Sequence, residues 1–280
     1  MTPARPLDNY PFVRTRSVEG ARQALARIYA KPTLELDDCV RALDVSINNY
    51  QLQDVGLTYA TYGAAVRLGY SEADFVVQFF PIHGTGEVVV ERTLVSLVPE
   101  RGVTISSHVD YQANFSADYG HLVLRISAKA LMKKLAAMTG AAIDAPLRIS
   151  PIPNYDRPAA QSLRRYFLLL VSELNSATTS LPAWVQAQTE QLLMVMFLCA
   201  NAHNYSHLLE RQPPDAAPAQ VRRAEEFIEA NGNRPIILDD LAAITGVSAL
   251  SLFRSFQQHR GYSPLEFARQ VRLRNRSKHR

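Results

Sequence analysis

The chain has 280 residues, 47% of them hydrophobic and 20% charged. That is enough apolar content to bury a sizeable core, and it excludes a collagen-like, low-complexity or wholly disordered chain. The length fits one large domain or two ordinary ones. The net charge of +4 is unevenly spread: residues 221–280 hold 11 Lys+Arg and 6 Asp+Glu, and the other 220 residues hold 19 and 20. A compact basic segment on a near-neutral body points to a polyanion such as nucleic acid, with a solvated basic tail as the plainer alternative.

The first ten residues contain Pro3, Arg5, Pro6, Asp8 and Asn9 and no apolar run, so no signal peptide is expected. The longest apolar stretch, Leu192–Ala200, has nine residues, against about 20 for a bilayer span. Cys39 and Cys199 lie far apart and make neither a disulfide framework nor a four-ligand zinc cluster. These features suit a cytoplasmic protein with no membrane segment.

In chain order, Ala21–Ala30 reads as a helix, with Leu25, Ile28 and Tyr29 spaced for one face. From Asp44 to Ile126 the texture changes to short runs rich in Val, Ile, Tyr, Phe and Thr. They are Val45–Tyr50, Leu57–Tyr62, Ala64–Leu68, Phe75–Ile82, Glu87–Glu91, Thr93–Val98, Val103–Ser106 and His121–Ile126. Short strands with frequent turn signals predict an antiparallel sandwich or barrel. His83-Gly84-Thr85-Gly86 reads as a hairpin turn between Phe75–Ile82 and Glu87–Glu91. Three helices follow, over Ala128–Thr139, about Arg157–Leu174 and about Ala183–His207. Leu192–Leu198 in the third is apolar all round, so it must be buried on more than one side, in a core or a core plus a subunit interface. The stretch from Leu208 to Gln220 holds Pro213, Pro214 and Pro218 among polar residues and reads as a linker. The domains therefore divide as 1–207, a linker 208–220, and 221–280.

The last segment carries the sharpest pattern. A helix over Val221–Asn231 is stopped by Asn231-Gly232-Asn233. A second helix begins near Leu238, with Asp239 and Asp240 in its first turn, and Gly246 can end it in the left-handed conformation. Ser248 can cap a third helix, Ala249–His259, with Leu252 and Phe256 inward. Gly261 ends that helix, and Ser263-Pro264 opens a fourth. Ala242 permits a close helix crossing, Gly246 makes the sharp turn, and Leu241, Val247 and Leu252 fill the space between. This spacing predicts a helix-turn-helix whose second helix enters a major groove. A purely structural helix pair is the alternative.

The stretch Leu241-Ala242, Gly246-Val247-Ser248, Leu252 to Phe256, Gly261 to Phe267 and Arg272-Leu273 resembles the AraC/XylS family of bacterial transcription regulators over roughly Val221–Leu273. The resemblance implies an α+β protein. Its N-terminal part would be a cupin-like antiparallel β-barrel with flanking helices, for effector binding and dimerisation. Its C-terminal part would be an all-α helix-turn-helix domain. The resemblance places Ser248, Leu250, Ser251, Phe253 and Arg254 at the DNA, with Arg272 on the following helix. Only Arg254 among the recognition-helix residues has the fork for bidentate contact with guanine, while Leu250 and Phe253 suit a thymine methyl or a sugar. Phe253 stands where the family commonly has Gln. Ile237 stands where the family commonly has a Ser or Thr cap. The resemblance implies a linker helix over Ser263 to about Arg276 and then a second helix-turn-helix unit; the sequence stops at Arg280, and that unit is expected to be absent from this chain. An artificial truncation, a shortened reading frame and a natural half-length form all fit this.

The function implied is a DNA-binding transcription regulator, an activator or a repressor, responding to a small organic effector. Promoter DNA is the expected partner, with a homodimer through the N-terminal domain helices and RNA polymerase as a further partner. A truncated, weakly binding or dominant-negative dimerisation partner is one alternative. A cupin-type enzyme is another, although His83, His108 and His121 are isolated and form no His-x-His pair. No metal, no other cofactor and no catalytic residue is expected. In the barrel, Tyr59, Tyr62, Arg67 and His83, with Tyr70 nearby, are the candidate effector contacts, Arg67 as a carboxylate partner.

Overall fold

The computed structural model describes residues 5–29, 32–36, 43–71, 73–176, 181–210, 218–232 and 234–278. Cys39, most of the 208–220 linker and Asn233 lie outside the described residues. The chain forms two compact units.

The first unit holds the described residues of 1–130, 147–181 and 196–204. It contains eleven strands: β1 Pro11–Thr15, β2 Thr33–Leu36, β3 Val45–Gln51, β4 Val55–Thr61, β5 Val66–Tyr70, β6 Phe75–His83, β7 Gly86–Val90, β8 Thr93–Leu97, β9 Val103–Ile105, β10 Tyr111–Phe115 and β11 Gly120–Ser127. They build two antiparallel sheets, β1-β3-β4-β11-β6-β9 and β2-β5-β10-β7-β8. Alternation sets which side chains meet. In β10, Tyr111, Ala113 and Phe115 are buried while Gln112 and Asn114 are exposed, the period of two that a half-covered strand requires. Helix α1, Val18–Ile28, is capped by Ser17, whose side chain accepts from the Gly20 N–H. It buries Ala21, Ala24, Leu25 and Ile28 in the barrel's core. Helix α3, Pro158–Ser176, buries Leu163, Phe167, Leu170 and Leu174 at helical spacing; Phe167 packs on Phe80 with ring centroids 4.7 Å apart.

The expected antiparallel barrel is therefore present, with one correction to its connectivity. His83–Gly86 does not close a hairpin, because β6 pairs with β11 and β9 while β7 pairs with β10 and β8. The turn carries the chain from one sheet to the other. Gly84 sits there at φ 71°, and a Cβ would lie 2.6 Å from the Tyr119 Cα. The glycine serves a corner pressed against another chain segment, which sequence cannot distinguish from a hairpin. Strands β1, β2 and β10 were not read from the sequence.

The second unit holds residues 131–146, 182–195 and the described residues from 205 onward. Most of helix α2, Ala128–Thr139, and the first part of α4, Ala183–Ala200, belong to it. It continues with α5 Ser206–Leu209, α6 Pro218–Ala230, α7 Leu238–Thr245, α8 Ala249–Arg260 and α9 Pro264–Lys278. The helix expected over 183–207 thus ends at Ala200 and resumes as a single turn. Val221, Ala224, Ile228, Ile236, Leu241, Leu252, Phe256, Ala268 and Val271 form one small core among α6 to α9. Gly246 ends α7 at φ 70°, its N–H donating to the Ala242 carbonyl at 2.9 Å. Gly261 ends α8 in the same way at φ 75°. Both glycines occupy backbone that side chains disfavour.

Candidate functional site

Two regions have the chemistry for recognition. One is the outer side of α8. Ser248 caps this helix, its Oγ accepting from the Ser251 N–H at 3.0 Å. Leu252, Ser255 and Phe256 turn inward and are fully buried. Leu250 and Phe253 are 42% and 39% exposed, and Arg254 is exposed, with no hydrogen bond or ion pair among the described residues. Gln257, Gln258 and His259 continue this exposed side. A short helix therefore presents an apolar pair, a free guanidinium and two amides to solvent, a set that can meet bases and phosphates.

The sequence-derived residues divide between the helix's two sides. Leu250, Phe253 and Arg254 lie outward. Ser248 and Ser251 are 3% and 2% exposed, and their hydroxyls bond to each other at 2.9 Å. Ser251, read as a residue that reaches a base or a phosphate, is instead an inward residue of the cap. Arg272 donates to the Arg234 carbonyl at 3.3 Å. Arg260 forms a two-pronged ion pair with Glu225, at 2.7 and 3.0 Å.

A feature invisible in the sequence holds α7. Lys134 on α2 reaches Asp239 at 3.0 Å, and the two side chains are 5% and 6% exposed. Burial pulls the Lys134 ammonium down from its usual range and pushes the Asp239 carboxyl up, each against the other's opposing charge. Lys133 and Asp240 form a second, exposed pair beside it, 3.9 Å apart. The first-turn acid Asp239, expected to act on the helix dipole, is thus committed to an ion pair. Ile237 takes the cap position of α7 with no side-chain capping bond, as expected.

The other region is the barrel interior. Tyr29, Tyr62, Tyr70, Phe79, Tyr111, Phe115 and His121 line a small cavity there. Tyr70 and Tyr111 stack with centroids 5.0 Å apart, and Phe115 stacks on Tyr119 at 4.4 Å. Burial pushes the Tyr29 hydroxyl up to about 12 and also raises those of Tyr62, Tyr70 and Tyr111 well above the ordinary phenol value. Burial also lowers His121 to about 3, so the ring is neutral. His121 Nδ1 and the Tyr119 hydroxyl are buried with no hydrogen-bond partner among the described residues.

The four effector candidates are not brought together. Tyr62 lines the cavity. Tyr59 alternates with the cavity-lining Ala60 and so faces the other side of its sheet; its hydroxyl lies 3.2 Å from His83 Nε2. His83 is exposed and its Nδ1 meets the Asp118 carbonyl. Arg67 is on the exposed side of β5, bonded to Asn114 at 3.2 Å and 3.5 Å from Glu35. Of the histidines noted in the sequence, His121 is the one inside the barrel. Among the described residues, no group of three or more His, Cys, Asp or Glu residues is placed to hold a metal ion, and no helix is long and apolar enough to cross a membrane.

Two antiparallel sheets followed by a helical region, in which α8 keeps one side exposed, define the class: a cupin-like barrel and a helix-turn-helix. Residues 21–199 match the profile of the AraC-binding-like domain, and the chain belongs to that family. It is 30% identical over 157 residues to the probable thc operon regulatory protein of Rhodococcus erythropolis. That match covers 54% of this chain and 46% of the relative, so the chain spans under half the relative's length. The AraC-like transcriptional activator CuxR superposes with a TM-score of 0.52 at 15% identity, over 94% of each chain, and shares the fold. The cupin domain of Schizosaccharomyces pombe Cnp3 aligns over 34% of this chain and 74% of its own, at 12% identity and a TM-score of 0.28.

Proposed function

We propose that the protein is an effector-responsive transcription regulator. Residues 1–207 form the sensor and dimerising part, 208–220 the linker, and 221–280 the DNA reader. The observation that carries this reading is the open outer side of α8, where Leu250, Phe253 and Arg254 stand clear of the protein's own core. A surface helix that serves only as packing turns a polar face to solvent, whereas the outer face of α8 carries the apolar pair Leu250 and Phe253 beside Arg254. The basic excess of residues 221–280 supplies the sequence-independent attraction to phosphate, and Arg254 supplies base contact.

The sensor reading draws on the family and on two names: a regulator of the thc operon and an AraC-like activator. An effector acts by binding one arrangement of the protein more tightly than another. A homodimer would double the reading surface, and RNA polymerase would be the partner of an activating form. The test is a gel-shift and footprint assay on the DNA upstream of the protein's own gene and its neighbours. A discrete protected segment is expected, outcompeting random duplex by at least tenfold. Equal affinity for random duplex would remove the regulator reading.

A further inference from the structure

We propose that the barrel interior is a receptor for an uncharged, flat, single-ring compound bearing one hydrogen-bonding group, admitted when the Phe115 side chain swings aside. This rests on the reading of the barrel as an effector-binding part and names the class of effector.

The walls decide the class. The cavity is lined by aromatic rings, four of them tyrosines and one the imidazole of His121, and by the aliphatic Ala60 and Leu68; no Lys, Arg, Asp or Glu is among its described lining residues. His121 is the lining group with the lowest ordinary pKa, and burial keeps it neutral. A carboxylate or ammonium brought inside would lose its water and meet no counter-charge. Arg67, the guanidinium on β5, is turned away toward Glu35 and Asn114. A flat ring can stack on the walls with the offset geometry the resident rings already use.

His121 Nδ1 decides the polar group. It is buried, has no partner among the described residues and belongs to a ring that lines the cavity, and buried polar atoms in folded proteins are normally satisfied. A ligand hydroxyl both donates and accepts, so it can meet Nδ1 in either tautomer of the imidazole.

Phe115 decides the way in. The enclosed space is about 10 Å³, room for about one water, so a ligand ring must take the place of a side chain. Phe115 lines this cavity and also two surface grooves of about 390 and 410 Å³. Rotated outward, its ring would meet Leu36 and Val66 in one groove or Leu97 and Val98 in the other. The slot it leaves is one ring in size, between Tyr119 at 4.4 Å and His121 at 5.1 Å.

The experiment is calorimetric titration of the full chain with phenol, toluene and benzoate, without DNA. Phenol is expected to bind at least tenfold more tightly than benzoate. His121→Phe should bring phenol down to the level of toluene, and Phe115→Ala should raise the affinity for toluene and phenol at least tenfold. Benzoate binding as well as phenol would overturn the proposal. So would phenol affinity unchanged in His121→Phe, or silence from every ring in both wild type and Phe115→Ala. The phenol-to-benzoate ratio is read on wild type, so it stands even where a variant folds poorly. DNA binding is scored separately: a protein that shifts DNA and ignores rings contradicts this inference alone, and one that binds rings and no DNA contradicts the regulator reading.

Discussion

At the residue scale, the second unit depends on a charged pair taken out of water. A buried Lys–Asp pair gives little net stability, yet removing one partner strands the other charge. Lys134→Met should therefore destabilise the chain by about 3–5 kcal/mol, while Lys134→Met with Asp239→Leu should return to within about 1 kcal/mol of wild type. Chemical denaturation of the four proteins of this cycle checks it, and additive losses would refute the pairing. The pair was illegible in the sequence because its members are separated by 105 positions. Asp239 read as a dipole partner in a first turn, and nothing local singled out Lys134. Tyr59, Arg67 and His83 part from Tyr62 for another reason: residue type marked all four, but strand alternation and sheet assignment put them on different faces. His121 shows the converse, since an isolated histidine in a sequence gives no sign of standing unpartnered inside a barrel.

At the element scale, the helix boundaries of the last segment were legible because each carries local chemistry. Gly246 and Gly261 end α7 and α8 as expected, and Ser248 caps α8. Gly246→Ala forces a Cβ into left-handed backbone and should cost about 1–2 kcal/mol, seen as a lower Tm even though the position has open space around it. At the start of α9 a reciprocal box forms: the Ser263 N–H donates to Glu266 at 2.6 Å, and the Glu266 N–H donates to Ser263 Oγ at 3.2 Å. These bonds hold the Glu266 carboxyl below its ordinary 4.5. A depressed folded pKa contributes stability above the unfolded value and loses it as pH falls through the folded one. Wild-type Tm should accordingly fall more steeply below pH 4.5 than that of Glu266→Gln, which keeps the box without titrating; parallel curves would contradict this. Strand β10 escaped notice because its outward Gln112 and Asn114 break the apolar run that marks a strand. Its inward residues Tyr111, Ala113 and Phe115 were there to be counted at a period of two.

At the scale of the whole molecule, the barrel and the helix-turn-helix were each legible as a class, because strand texture and helix punctuation are local signals. The extent of each compact unit was not. Residues 131–146 and 182–195 belong to the same compact unit as the helix-turn-helix, although the composition break lies at the proline-rich 208–220. A linker is marked by its residues, whereas membership of a compact unit is set by distant contacts such as Lys134–Asp239. The outer side of α8 is the most consequential feature at this scale, and Arg254 is its charged probe. Binding of the chain to its own upstream DNA should be followed by anisotropy between 50 and 300 mM salt, for wild type and Arg254→Ala. If α8 reads DNA through a base contact of Arg254, the variant should lose about 1–3 kcal/mol on the specific site at every salt concentration and bind random duplex as the wild type does. Superimposable curves for the two proteins at every salt concentration would show that α8 is not the reading helix.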